Sequence, residues 1–298
     1  MIAPRAPFTL PLAGRAPLVL GLRTLVMGVL NVTPDSFSDG GAGLDPERAL
    51  DLALAMEAGG ADLIDVGAES TRPGAAPVGG RDERQRLLPV LRKLHRLRIP
   101  LSIDTTKAEV ARFALDEGAV IVNDVSGLQF DPALGDIVAV RGAPIVLMHM
   151  RGRPADMYAH AVYDDVALDV TRDLTRALER ALSRGVAWNQ IILDPGLGFA
   201  KRASDSVAAL AGLETVAALG RPLLVGPSRK SFLTAAVGQI PPPDRDWATA
   251  AAVTAAVLGG SHIVRVHAVS EMAQVVRVAD MIREHATGAG AGGTTSAD

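Results

Sequence analysis

The chain contains no cysteine. That removes disulfides, thiolate zinc sites, iron-sulfur clusters and thiol nucleophiles together, and it fits a reducing compartment, so a cytoplasmic location is the expectation. Neither sign of charge is in excess: 30 basic against 33 acidic side chains leave a formal net charge of -3. Without a basic stripe or polybasic tail there is no footprint for nucleic acid or a membrane surface, and an anionic ligand must be met by a few local cations. No window approaches the roughly 20 apolar residues of a membrane-spanning helix. The opening MIAPRAPFTLPLAGRAPLVLGL scatters Pro and Arg where a signal peptide has an unbroken apolar segment. The chain also lacks a GxGxxG after its first strand run, a Walker loop, and the HxH and HExxH spacings of common metal hydrolases.

What is present is one pattern, repeated. Short β-branched apolar runs alternate with polar loops and longer segments of helical spacing: TLVMGVL (24–30), ADLIDVG (61–67), PLSID (100–104), VIVND (120–124), PIVLMH (144–149), QIILD (190–194), PLLVG (222–226) and HIVRVH (262–267). Continuous apolar runs between helices indicate parallel strands buried on both faces, and eight such units in about 250 residues match a single parallel β/α barrel of the TIM type. A doubly wound sheet is the alternative, but its nucleotide fingerprint is missing. The reading divides the chain into an N-terminal arm or strand pair (1–23), the barrel (24–285) and a disordered glycine-rich tail (286–298). In the first helix, spacing predicts a buried face of Ala49, Leu52, Ala53 and Met56, with Asp45 as N-cap and Gly59 as stop. Trp188 and Trp247 read as packing residues.

The runs end in chemistry. Their C-terminal ends bring Asn31, Asp65, Asp104, Asn123 with Asp124, His149, Asp194, the Ser228-Arg229-Lys230 loop, and Arg265 with His267. Barrel enzymes place their sites on that rim. By strand alternation Arg265 and His267 share one face and Val264 and Val266 the other; Ser102 goes with Asp104, Ile121 with Asn123, and Ile192 with Asp194. An inward charge must be paired or bind a ligand. Lys230, Arg229, Arg265 and His267 follow the last two strands, where barrels often bind phosphate, while Asp104, Asn123 and Asp194 suit a flat, neutral ring rich in N–H groups. Asp65 and His149 read more readily as structural than as ligands.

The motifs NVTPDSFSDGG, DVGAESTRPGA, SIDTTKAEV, VNDVSG, LMHM, ILDPGLGFAK, VGPSRKSF and IVRVH, in this order, resemble those of the dihydropteroate synthases, the pterin-binding enzymes of folate biosynthesis. The resemblance runs over about residues 24 to 282. It implies a transferase that joins 6-hydroxymethyl-7,8-dihydropterin diphosphate to 4-aminobenzoate with Mg2+ present, in a homodimer, the carbon–oxygen bond breaking largely before the amine attacks. It implies that Asp104, Asn123, Met148, Asp194 and Lys230 hold the pterin ring, and that Asn31, Thr71, Arg265 and His267 hold the diphosphate, with Asn31 on the metal. It further implies an aminobenzoate pocket of Phe37, Arg72, Pro73, Ser228 and Arg229, and catalytic roles for Asp35, Lys230 and Arg265. In NVTPDSFSDGG the stretch from Thr33 to Gly41 is expected to be a mobile flap. Three positions depart from the family pattern: Ala68 stands where a second glycine is usual, Ala268 where Asp is common after His267, and Pro227 before the Ser-Arg-Lys. A pterin-binding paralogue without synthase activity and a methyltetrahydrofolate-binding methyltransferase barrel share the ring pocket and stand as alternatives.

Overall fold

The computed structural model describes residues 2–33, 45–71 and 74–288. A short antiparallel hairpin, β1 (Phe8–Leu10) and β2 (Leu18–Leu20), precedes eight parallel strands: β3 (Leu25–Asn31), β4 (Leu63–Gly67), β5 (Leu101–Asp104), β6 (Ile121–Asp124), β7 (Ile145–Met148), β8 (Ile191–Asp194), β9 (Leu224–Val225) and β10 (Ile263–Val266). They are ordered β8-β7-β6-β5-β4-β3-β10-β9, and a bridge between Leu193 and Leu223 joins the two ends, so the sheet closes on itself. β9 is the shortest; Pro222, two residues before it, has no N–H, and its carbonyl accepts from Leu193 N at 2.9 Å.

The helices are α1 (Pro46–Ala58), α2 (Gly80–Leu94), α3 (Ala108–Asp116), α4 (Ala133–Arg141), α5 (Val166–Ser183), α6 (Ala203–Ala211), α7 (Leu213–Ala217), α8 (Thr234–Val237), α9 (Asp246–Leu258) and α10 (Val269–Thr287). Asp45 caps α1 by accepting from Glu47 N. The buried face of that helix is Ala49, Leu50 and Ala53, with Met56 half-buried; Leu52 is 41% exposed, so the spacing argument misplaced one leucine. Two small alanines carry so little of the stripe that the pattern could not say which neighbouring leucine faces inward. Trp247, at the start of α9, is 90% exposed, and Trp188 is also exposed; neither is a core residue.

Strand alternation separates two cores. Outward residues such as Val26, Ile64, Val66, Ile103, Val122, Leu147, Leu193, Val264 and Val266 pack under the helices. The inward residues of the lower barrel, Leu25, Met27, Leu63, Ile121, Val146, Ile192, Leu224 and Ile263, form a second cluster, and Leu10, Leu12 and Leu20 of the hairpin segment pack onto it. The hairpin therefore stops the N-terminal end of the barrel with leucines, and the polar inward residues are left at the C-terminal mouth. Each fully buried leucine of this kind contributes roughly 2 kcal/mol by removal from water.

Candidate active site

Strand register aligns the mouth residues. Asn31 pairs with Gly67, Gly67 with Asp104, and Asp104 with Asn123, so four consecutive strands present one level of the rim. A Cβ at Gly67 would lie 3.2 Å from the Asp104 Cβ, so the bare backbone there makes room for the aspartate. One turn of the pleat lower, Asp65 pairs with Ser102.

Arg265 rises from β10 and ties two carboxylates together. Its Nε donates to Asp65 Oδ2 at 2.7 Å, and its NH2 group donates to Asp104 Oδ2 at 2.9 Å. Asn123 Nδ2 donates to the same Asp65 oxygen at 2.8 Å. Asp65 is 0% exposed, and its other oxygen has no hydrogen-bond partner. It is the hub of the mouth: one oxygen orients both the amide of Asn123 and the guanidinium of Arg265. The sequence showed Asp65 on β4 but not its partner Arg265, which lies 200 positions further on. The amide of Asn123 spends one N–H on Asp65, which leaves its oxygen to meet a ligand donor.

Burial pushes Asp104 up to about 7; Arg265 pulls it down, while Asp65 and Glu83 push it further up. Burial also raises Asp194, against the pull of Lys230 and a hydrogen bond of 2.7 Å from Gly196 N. Lys230 is lowered to about 8 by burial, opposed by Asp194. Its Nζ donates to Leu197 O at 2.5 Å and lies 4.7 Å from the centre of the Phe199 ring. The mouth thus gathers carboxylates, an amide and two cations, of which Asp104 and Lys230 titrate close to neutrality, while for Arg265 burial opposes the charge but Asp65 and Asp104 hold it above its ordinary value. Met148 pairs in register with Asp194 and packs with Val125, Met150, Met157 and Ala200, an apolar wall beside the acids.

The other expected residues are placed as follows. His267 and Ser228 are joined, the imidazole Nδ1 and Oγ being 2.9 Å apart, while His267 N donates to Oγ at 3.2 Å. With the hydroxyl donating to Nδ1, the neutral ring carries its proton on Nε2. Arg229 takes left-handed backbone, φ 58°, and makes a two-point ion pair with Asp246 of α9, at 2.8 and 2.7 Å. Its guanidinium is thus engaged on α9 and not on the carboxylate ring. Asn31 and Thr71 are half-buried, at the end of β3 and in the loop after β4. That loop is anchored from below: Glu69 accepts from Val78 N at 2.8 Å and from Lys107 Nζ at 2.5 Å, and Lys107 also donates to buried Glu83 at 2.7 Å. Asp35, Phe37, Arg72 and Pro73 lie outside the described residues, as do most of the expected flap and the glycine-rich tail from 289. Asp124 turns away from any ligand, its carboxylate accepting from Ser126 N, Ser126 Oγ and Leu128 N. His149 is buried between Lys201 and Asp173. Of the three departures from the family pattern, Ala68 is fully buried, and Ala268 stands at the N-cap of α10, which has no side-chain cap.

The chain matches the pterin-binding enzymes over residues 27–267. A dihydropteroate synthase of Synechocystis is 47% identical over 263 residues, covering 88% of this chain and 91% of the relative. The chain belongs to the dihydropteroate synthase family of pterin-binding enzymes. Dihydropteroate synthases also lie among the similar solved structures. That of Xanthomonas albilineans with 4-aminobenzoic acid superposes with a TM-score of 0.86 at 40% identity, covering 93% of this chain and 99% of that one. The same organism's enzyme in complex with 7,8-dihydropteroate gives 0.82 at 37% identity over 92% and 98%. Those structures share the barrel fold of this chain.

Proposed function

We propose that the chain is a synthase that condenses 6-hydroxymethyl-7,8-dihydropterin diphosphate with 4-aminobenzoate to give 7,8-dihydropteroate and diphosphate. The observation that carries this reading is the aligned mouth, Asp104 beside Asn123 with Asp194 across and Arg265 and Lys230 between them. Asp104 and Asp194 each accept adjacent N–H groups of a pterin, and the Asn123 oxygen accepts a third. Lys230, held over Phe199, donates to a ring acceptor. Arg265 and His267 face the departing diphosphate, and Ser228, bonded to His267, lines the aminobenzoate side.

Magnesium fits the donors at this rim. Asn31 offers a hard amide oxygen at the end of β3, and among the described residues no group of three or more His, Asp or Glu converges on a cage. Mg2+ suits such a site because it keeps several waters and takes phosphate oxygens for the rest. When bound, it would offset charge on the leaving oxygens. In the reaction the arylamine nitrogen forms a bond to the pterin methylene, the C–O bond breaks with its electrons passing to diphosphate, and one N–H proton is lost. The amine is neutral at pH 7 and needs no strong base; the guanidinium stabilises the growing negative charge, while the buried carboxylates favour positive character at the methylene.

The same reading includes a homodimer. α9 and α10 present a contiguous apolar face, with exposed Val278, Met281 and Ile282 beside a shallow groove of about 400 Å³ lined by Ala251, Thr254, Val275 and Val278. Trp247 lies on the same side of α9 by helical spacing. Light scattering is expected to give twice the chain mass, reduced to one by Met281→Glu. A cytoplasmic location belongs to this reading as well; among the described residues no helix is long and apolar enough to cross a membrane.

The deciding assay is diphosphate release by the purified chain given both substrates and Mg2+. Turnover that stops with chelator and returns with Mg2+ is expected. Pterin binding without diphosphate release would favour the inactive paralogue.

A further inference from the structure

Among the described residues Lys201 is the largest side chain with less than 2% exposure. It lies at the end of the loop between β8 and α6, and its Nζ faces three acceptors: His149 Nδ1 at 2.7 Å, Gly196 O at 3.0 Å and Phe199 O at 3.2 Å. Three acceptors use all three protons of an ammonium. On the far side of the imidazole, Nε2 meets Asp173 Oδ2 at 3.2 Å. A carboxylate can only accept there, so Nε2 carries the proton and Nδ1 is left as the acceptor for the lysine. Asp173 is itself held by Arg151 Nε at 2.8 Å, and Arg151 stacks on Tyr163. Burial works against the charge, pushing the lysine pKa well below its ordinary value, while Asp194 works for it.

What this lysine holds is a loop with almost no backbone bonding of its own. Gly196, Gly198 and Ala200 all take left-handed φ angles, of 66°, 78° and 49°, which Ala200 adopts with strain. The carbonyls of Gly196 and Phe199 accept from Lys201, that of Ala200 from Tyr163 Oη, and that of Leu197 from Lys230. The loop in turn makes the seat of Lys230. Leu197 O takes its ammonium, the Phe199 ring lies under it, and a Cβ on Gly198 would come within 3.3 Å of its stem.

We propose that Lys201 is a positioning residue for Lys230: by pinning Gly196 O and Phe199 O to His149, it sets the loop that seats the mouth lysine and thereby the affinity for pterin. This rests on the assignment of Lys230 to the pterin pocket. The path runs from Asp173 through His149 and Lys201 to the loop, and none of these three is among the residues assigned to the pterin pocket.

The test is a double-mutant cycle on the full chain, read by calorimetric titration with 6-hydroxymethylpterin, with urea unfolding of each variant alongside. Lys201→Met is expected to weaken binding about tenfold in the parent and less than about twofold in a Lys230→Met background. Equal losses in the two backgrounds would mean a general structural role and overturn the proposal, as would no loss in the parent. If Lys230→Met leaves affinity unchanged, the pocket assignment falls and the proposal with it. Should Lys201→Met not fold, His149 supplies the same test. His149→Asn keeps an oxygen acceptor near the Nδ1 position and is expected to bind within about threefold of the parent, whereas His149→Leu reproduces the loss. Parent-like binding by the leucine variant refutes the pinning role.

Discussion

Replacing Arg265 with methionine keeps much of the stem volume and removes the cation between Asp65 and Asp104. Both carboxylates are buried, with side-chain exposures of 0% and 12%, and they receive the two guanidinium bonds of 2.7 and 2.9 Å. Taking one partner from a buried ion pair leaves the other charge uncompensated, at a cost of about 3–5 kcal/mol. The structure makes that loss depend on pH in a stated direction. Asp104 titrates near 7 in the fold, well above the ordinary carboxylate range, so between those values the folded state holds the extra proton and stability falls as pH rises. Without Arg265 its pKa moves higher still. The full destabilisation is therefore expected at pH 9. At pH 6.5 the loss is smaller, because Asp104 is then mostly protonated in both proteins. Urea midpoints of parent and variant at the two pH values measure this difference. A loss that is the same at both, or below about 1 kcal/mol at pH 9, would refute the view that these ion pairs hold the mouth together.

Two further outcomes follow from the same electrostatics. The rate constant kcat/KM is expected to be bell-shaped, rising as Asp104 ionises near 7 and falling as Lys230 loses its proton near 8; Asp104→Asn removes the acid limb, and a flat profile from pH 6 to 9 contradicts the assignment. His149 and His262 are both lowered to about 4 by burial, so each holds stability above its unfolded value of 6.5 that is lost as pH falls toward 4, about 3 kcal/mol apiece. His262 bonds Leu223 N and Ala6 O, and His262→Gln is expected to shallow the acid arm of the melting temperature; an unchanged arm counts against this.

The barrel was legible because its strands are buried on both faces and therefore read as unbroken apolar runs. Each run contains its observed strand or misses it by one residue, as with β3, which extends to Asn31. Alternation within a run was equally readable: Arg265 with Asp104 and Asn123 on the inner side follows from counting by twos. Partners were not readable, because a pairing across the barrel depends on closure and not on spacing. Asp65 read as structural, but only the fold names its partner, Arg265. Arg229 looked like one of the mouth cations, yet a left-handed backbone turns it to Asp246. Lys201 carried no signal, since a lysine two residues before a helix ordinarily reads as a solvated cap, and only the folded-back loop buries it.

The leucine hairpin at the foot of the barrel makes the vessel blind. Nothing passes through it, so whatever enters must leave by the opening it came in, and the waters an arriving molecule displaces must slip out past it. A tube with one door imposes a queue. On the proposed function, a pterin ring held by Asp104 and Asp194 has to be seated before anything occupies the rim, and the second substrate can only take a place nearer the door. It also gives the cations a direction. With a low-dielectric floor beneath them, Arg265 and Lys230 can meet a ligand only from the side of the door.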